Sequence, residues 1–221
     1  MRVYLRLTPS EIVPYDHYGK LVGTFHRWMG KDNPYHNQTS LYSLSGLAGI
    51  RKEYKNGFVL PTGATWFISS PNHEIIHRVM LGAMHDDVVG FGMRVSEVRI
   101  MHTPEMPRLK RFMPATPVLV KRFKREGAGS NHIHYVWSQE GVGDLLTKTM
   151  ERKMRLGGIQ YPIKISFDDQ SPARVVVVPV NGIKNLCTIC PVQIEGDPRA
   201  LQFAWDVGVG SSTGCCFGAL E

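Results

Sequence analysis

Gly208-Val-Gly-Ser-Ser-Thr-Gly-Cys-Cys-Phe-Gly-Ala-Leu-Glu221 carries four glycines (Gly208, Gly210, Gly214 and Gly218) directly after a helix-like stretch and before an apolar end. Glycine lets a backbone approach a ligand closely and adopt positive φ, so such a loop can turn its N–H groups, with Ser211, Ser212 and Thr213, toward a phosphate. No Gly-Lys-Ser/Thr is present, and no strand leads into a G-x-G-x-x-G that opens a helix. Nucleotide-triphosphate and dinucleotide loops are thereby excluded. A glycine-rich loop between a last helix and a last strand implies another use.

Outward from that loop, Asp197-Pro198 opens a helix bearing Leu201, Ala204 and Trp205. Cys190 to Ile194 is expected as a strand. Residues 159–167 and 173–178 bracket Asp168-Asp169, which suggests a hairpin. Leu146, Met150 and Met154 recur at i, i+4 and i+8, so 144–154 is expected as a helix. Phe112 to Phe123 and His134 to Trp137 are expected to be extended.

The first half has the clearer order. Val3, Leu5 and Leu7 alternate as in a half-buried strand. Pro14 and Asp16 mark a helix start, the stripe Leu21, Val22, Phe25, Trp28, Met29 follows, and Gly30 stops it. Leu41–Leu47 and Ala64–Ser69 are expected strands, with a turn at Asn56-Gly57. Ser70-Pro71 is the expected cap of a helix carrying Ile75, Ile76, Val79, Met80 and Ala83, and Val88 to His102 returns as a strand. This is β-α-β-β-α-β, the ferredoxin-like (RRM-like) unit. The second half repeats it, giving an α+β chain of tandem ferredoxin-like domains over 1–107 and 108–221.

The chain has 221 residues and a net charge of +7, an excess that suits a polyanionic partner such as nucleic acid. At the join of the two units, Arg108, Lys110, Arg111, Lys121, Arg122, Lys124 and Arg125 face only Glu105 and Glu126, a basic seam able to hold an RNA backbone. No stretch reaches the apolar length of a membrane helix and the amino terminus lacks a signal-peptide pattern, so a cytoplasmic protein with no membrane contact is expected. Cys187, Cys190, Cys215 and Cys216 are then reduced thiols.

Three constellations carry candidate chemistry. His26 on the first helix and His36 in the loop after it can meet at the helix end, where two imidazoles supply a general base and a general acid without a metal. His73-Glu-Ile-Ile-His77 fits H-E-x-x-H, and His102, His132 and His134 add imidazoles. A third zinc ligand and a cleft have no evident place in the α+β pattern, so a polar helix edge is the preferred reading. Cys187-Thr-Ile-Cys190 lacks a second C-x-x-C and is read as small buried residues.

The loop Gly208-x-Gly210-x-x-Thr-Gly214-x-x-Phe217-Gly218 resembles the carboxyl-terminal signature of CRISPR-associated repeat-processing endoribonucleases of the RAMP superfamily. Val13-Pro14-Tyr15 before the helix, His36 ahead of Leu41-Tyr-Ser-Leu-Ser45, and Glu195-Gly-Asp197-Pro198 agree in order. The resemblance implies a metal-independent cut in CRISPR repeat RNA, without a cofactor, leaving a 5′-hydroxyl and a 2′,3′-cyclic phosphate. It implies a general base at His36, and it aligns His26 with a tyrosine or second histidine. The family's frequent lysine meets Thr39 and Ser40 here, leaving Lys31 and Arg51 as candidates, by sequence proximity, to stabilise the phosphate. Expected partners are repeat RNA or crRNA and other CRISPR effector subunits, with the chain a monomer or homodimer. The alternatives are a non-cleaving RAMP subunit that holds guide RNA and, more remotely, a zinc peptidase at His73, Glu74 and His77.

Overall fold

Val3, Leu5 and Leu7 are withdrawn from solvent along β1 (Arg2–Leu7), as their period of two requires. The computed structural model describes residues 1–36, 38–123 and 132–221; Lys124 and Arg125 of the basic seam lie outside the described residues. After β1 come α1 (Tyr18–Met29), β2 (Ser43–Leu44), the hairpin β3 (Lys52–Tyr54) and β4 (Gly57–Val59), β5 (Ala64–Ser69), α2 (His73–His85), β6 (Val88–Gly90) and β7 (Met93–Met101). The main sheet has the antiparallel order β2-β5-β1-β7-β6. With β3–β4 as an insertion, β1, β2, β5 and β7 stand in the second-third-first-fourth order of a ferredoxin-like sheet. Leu21, Phe25, Trp28 and Met29 of α1 and Ile75, Ile76 and Val79 of α2 cover it.

The second half contains β8 (Leu109–Phe112), β9 (Val120–Phe123), β10 (His132–Tyr135), α3 (Val142–Leu156), β11 (Ile163–Phe167), β12 (Arg174–Val180), β13 (Ile183–Ile189), β14 (Val192–Gly196) and α4 (Pro198–Val207). Its sheet runs β11-β14-β8. The carboxyl end adds itself beside the continuation of β8, with Ala115 N–H donating to Ala219 O at 2.7 Å and Glu221 N–H to Met113 O at 2.9 Å. The strand order of the first unit is thus repeated. The final strand is reduced to a bridge between Pro114 and Leu220, because the glycine-rich segment takes up most of the chain after α4.

Several local expectations change. Residues 163–167 and 174–180 do not form a hairpin across Asp168-Asp169. Instead β11 pairs with β14, burying Ile163, Ile165 and Phe167 against Val192 and Ile194, while β12 pairs with β13 apart from the main sheet. The expected strand 88–102 is two strands, split where Phe91 and Gly92 take positive φ. Leu41–Leu47 yields only Ser43–Leu44, and 112–123 is broken between β8 and β9. The cap of α2 is Asn72, whose side chain accepts from Glu74 N–H.

The carboxyl segment joins everything. Cys216 packs in the first unit's core, Leu220 in the second's, and Phe217 with Leu119 and Cys187 between them. Arg2 reinforces the join: its guanidinium lies 3.9 Å from the Phe67 ring and 3.6 Å from the Trp205 ring, and donates to Leu220 O at 2.7 Å.

Candidate nucleic-acid interface

His26 falls in the last turn of α1, and a turn through Asn33 returns the chain so that His36 lies over it. The two imidazole centroids are 4.8 Å apart at 64°. Asn33 fixes the protonation pattern. Its Oδ1 accepts from Tyr35 N–H at 3.0 Å, so its Nδ2, a donor only, faces His26 Nδ1 at 2.9 Å. His26 Nδ1 is therefore the acceptor, and the neutral ring carries its proton on Nε2. Burial, with His36 close by, holds the His26 pKa below 6.5. His26 is half-buried and His36 is exposed.

The glycine-rich loop meets the same region from the other domain. Its 3-10 turn, Thr213–Cys215, packs on α1 and β2. A Cβ on Gly214 would stand 2.4 Å from Ser40 Oγ and 2.8 Å from the Tyr42 ring, and Tyr42 stacks on Phe25 at 4.6 Å. Ser212 and Cys216 hold left-handed φ of 58° and 62° on either side of the turn, a local cost that such loops bear where a shape is required. The amides of Gly208, Val209, Ser211 and Gly218 are spent on Ala204 O, Gly218 O, Leu119 O and Pro117 O. Gly208 and Gly218 therefore shape the loop from inside, while Gly210, Ser211, Ser212 and Thr213 line an open cleft of 720 Å³.

The opposite walls of that cleft are basic. Lys121 and Arg122 come from β9, and Lys148, Arg152 and Lys153 from α3. Lys153 is buried and donates to Val207 O and Gly208 O at 3.3 Å each and to Thr213 Oγ1 at 3.0 Å, which ties α3 to the loop. Burial pulls its pKa down to about 7. Thr213 Oγ1 donates onward to Tyr42 O at 2.9 Å, so the loop is pinned to both domains. Gln38, Thr39 and Ser40, from the chain that follows His36, complete the cleft lining, which does not include His26 or His36.

The remaining candidates are elsewhere. Arg111 is paired with Asp168 at 2.6 Å, Lys110 lies over the Phe112 ring at 4.9 Å, and Arg108 accepts Gly196 N–H on its carbonyl, all around β8 and outside the cleft lining. Lys31 is exposed in the turn after α1. Arg51 sits over Phe58 at 4.4 Å in a separate cavity with Tyr18. Eight helical residues, about 12 Å of rise, separate Tyr18 from His26. The cations of α3 were missed because only that helix's apolar stripe was read; the i, i+4 pair Lys148 and Arg152 was the available signal.

His73 and His77 are exposed, and Glu74 is held by Arg78 at 2.8 Å and Tyr35 at 3.0 Å. No group of three or more His, Cys, Asp or Glu side chains is placed to hold a metal among the described residues. Cys187, Cys190 and Cys216 are buried, and burial pushes the Cys187 thiol up to about 12. Among the described residues no helix is long and apolar enough to cross a membrane.

Residues 102–221 match the family model described as CRISPR associated protein Cas6, C-terminal. The chain belongs to the Cas6 family. It is a CRISPR-associated protein of the RAMP type, in the class that binds and processes repeat RNA. Among solved structures, a Cas6-related protein from Pyrococcus furiosus aligns over 100% of this chain and 97% of its own with a TM-score of 0.86 and 18% identity. One described as a RAMP protein binding different RNA substrates gives 0.88 and 18% over 100% and 98%. A Cas6 in a product complex gives 0.68 and 16% over 100% and 98%. At these identities the likeness is one of fold, the tandem ferredoxin-like architecture. No curated protein matches the chain.

Proposed function

We propose that this Cas6-family chain is an endoribonuclease that cuts CRISPR repeat RNA without a metal ion. Repeat RNA lies along the basic cleft, its phosphates against Lys121, Arg122, Lys148, Arg152 and the Gly210–Thr213 edge. His36 takes the proton of the 2′-hydroxyl, whose oxygen attacks the adjacent phosphorus. The P–O5′ bond breaks, and His26, in its imidazolium form, gives a proton to the departing 5′-oxygen and is left neutral. The products are a 2′,3′-cyclic phosphate and a 5′-hydroxyl. The division of labour follows the two units, 1–107 for cutting and 108–221 for holding.

The observation that carries this reading is the imidazole pair at 4.8 Å, with one ring exposed and the other half-buried. Two imidazoles of differing environment are what acid–base cleavage at a phosphodiester requires. One observation favours the second reading, a non-cleaving RNA-holding subunit: among the described residues the side-chain partners of the two imidazoles are Asn33, Phe25 and each other, with no cation among them. The test is repeat RNA in excess EDTA, with a 2′-deoxy substitution at the cut nucleotide as control. Cutting that survives EDTA and stops with the 2′-deoxy RNA supports the enzyme. Binding without cutting supports the subunit.

A further inference from the structure

A second cavity, of 440 Å³, shares a wall with the basic cleft, because Gln38 and Thr39 line both. The two spaces differ in chemistry. The cleft presents five cations, whereas among the described residues no Lys or Arg lines the second cavity, which is walled by Leu41, Tyr42, Ile75, Leu156, Ile159 and Phe203. Polar groups stand only at its edge. Tyr35 donates its hydroxyl to Glu74 and accepts from Asn72 Nδ2 at 2.9 Å, and Gln38 Nε2 donates to Pro34 O at 2.8 Å. These bonds set the rim residues in place and leave the Gln38 carbonyl to a ligand. The space is at the small end of ligand pockets, and its apolar wall, with the Tyr42 and Phe203 rings among aliphatic side chains and an amide at the rim, suits a flat ring with hydrogen-bonding edges. Among the described residues a phosphate has no cationic partner there.

The loop that carries His36 also supplies Tyr35, Gln38 and Thr39 to the cavity lining, which ties the cavity to the imidazole pair through a few residues of chain. We propose that this cavity holds one nucleobase of the bound RNA, unstacked from its neighbours and adjacent to the cut phosphate. The backbone stays in the basic cleft and the base drops over the Gln38-Thr39 wall. This rests on the RNA reading above and adds the site that fixes the position of the cut. Splaying one base away from the next also rotates the intervening ribose, which is how a 2′-oxygen is brought in line with the bond to be broken.

The experiment scans single abasic substitutions through repeat RNA, measuring binding and single-turnover cleavage with the wild type and with Leu156→Trp. Leu156 is 58% exposed at the cavity rim, so an indole there enters the cavity without disturbing the core. A melting curve confirms that the variant folds. The expected result is one nucleotide beside the cut whose removal weakens wild-type binding about tenfold, as loss of one stacked base does. Leu156→Trp weakens intact RNA by a similar factor and shows no further loss with that abasic RNA. The inference is overturned if every abasic penalty persists unchanged in Leu156→Trp, the outcome also expected if the cavity takes an apolar side chain of a protein partner. Wild-type protein that fails to bind repeat RNA overturns the RNA reading itself, a separate result.

Discussion

Replacing Asn33 with aspartate tests how the structure sets the imidazole pair. The Asn33 amide donates to His26 Nδ1 at 2.9 Å and so favours the neutral ring. A carboxylate in the same place keeps the Tyr35 N–H bond on one oxygen and accepts from His26 with the other. At 2.9 Å in a fully solvated setting the attraction is about 1.4 kcal/mol, or about one pH unit, and the half-buried position of His26 makes that a lower bound. The wild-type sign is clear. The folded value lies below 6.5, so the folded protein binds this proton less readily than the unfolded chain, and stability present above that pH is lost as pH falls through the folded value. Asn33→Asp reverses the bias. The assays are an NMR titration of the His26 ring and the alkaline limb of the single-turnover rate, which follows the acid's protonation. Both should move upward by one pH unit or more. A His26 value that stays or falls refutes the tautomer assignment. A raised value with an unmoved alkaline limb removes His26 from the acid role.

Lys148→Ala and Arg152→Ala should each lower the slope of log affinity against log salt by about 0.7, the release expected for one single-strand phosphate contact. Equilibrium binding of repeat RNA across a salt series reads this out, and unchanged slopes would place the RNA elsewhere. Gly214→Ala puts a methyl 2.4 Å from Ser40 Oγ and against the Tyr42 ring, so it should cost about 1–3 kcal/mol in a melting or denaturant experiment. A variant as stable as the wild type would mean the loop does not need that approach.

The first ferredoxin-like unit was legible because its strands and helices each bury one face. Val3, Leu5 and Leu7 at period two, and Leu21 to Met29 at helical period, point inward in the structure as their spacing requires. The second unit was less so because it carries two hairpins outside its sheet. Val175 to Val178 has the composition of a buried strand, yet β12 pairs only with β13 and leaves Val175 and Val177 exposed. Composition favours extended backbone and cannot choose the partner; that choice is made by which side chains the core accepts. The turn through Asn33 that brings His36 to His26 leaves no periodic trace. Neither does Lys153, a buried cation whose use depends on carbonyls that α4 presents only in the fold.

In the proposed function, cutting belongs to the histidines of the first unit and holding to the cleft beside the second unit's loop. The most direct measurement is His36→Ala, assayed for both repeat-RNA affinity and single-turnover cleavage. The expected result is a rate loss of about 10²–10⁴-fold, the usual contribution of a general base, with affinity within about threefold of wild type. Cleavage at the wild-type rate would contradict it.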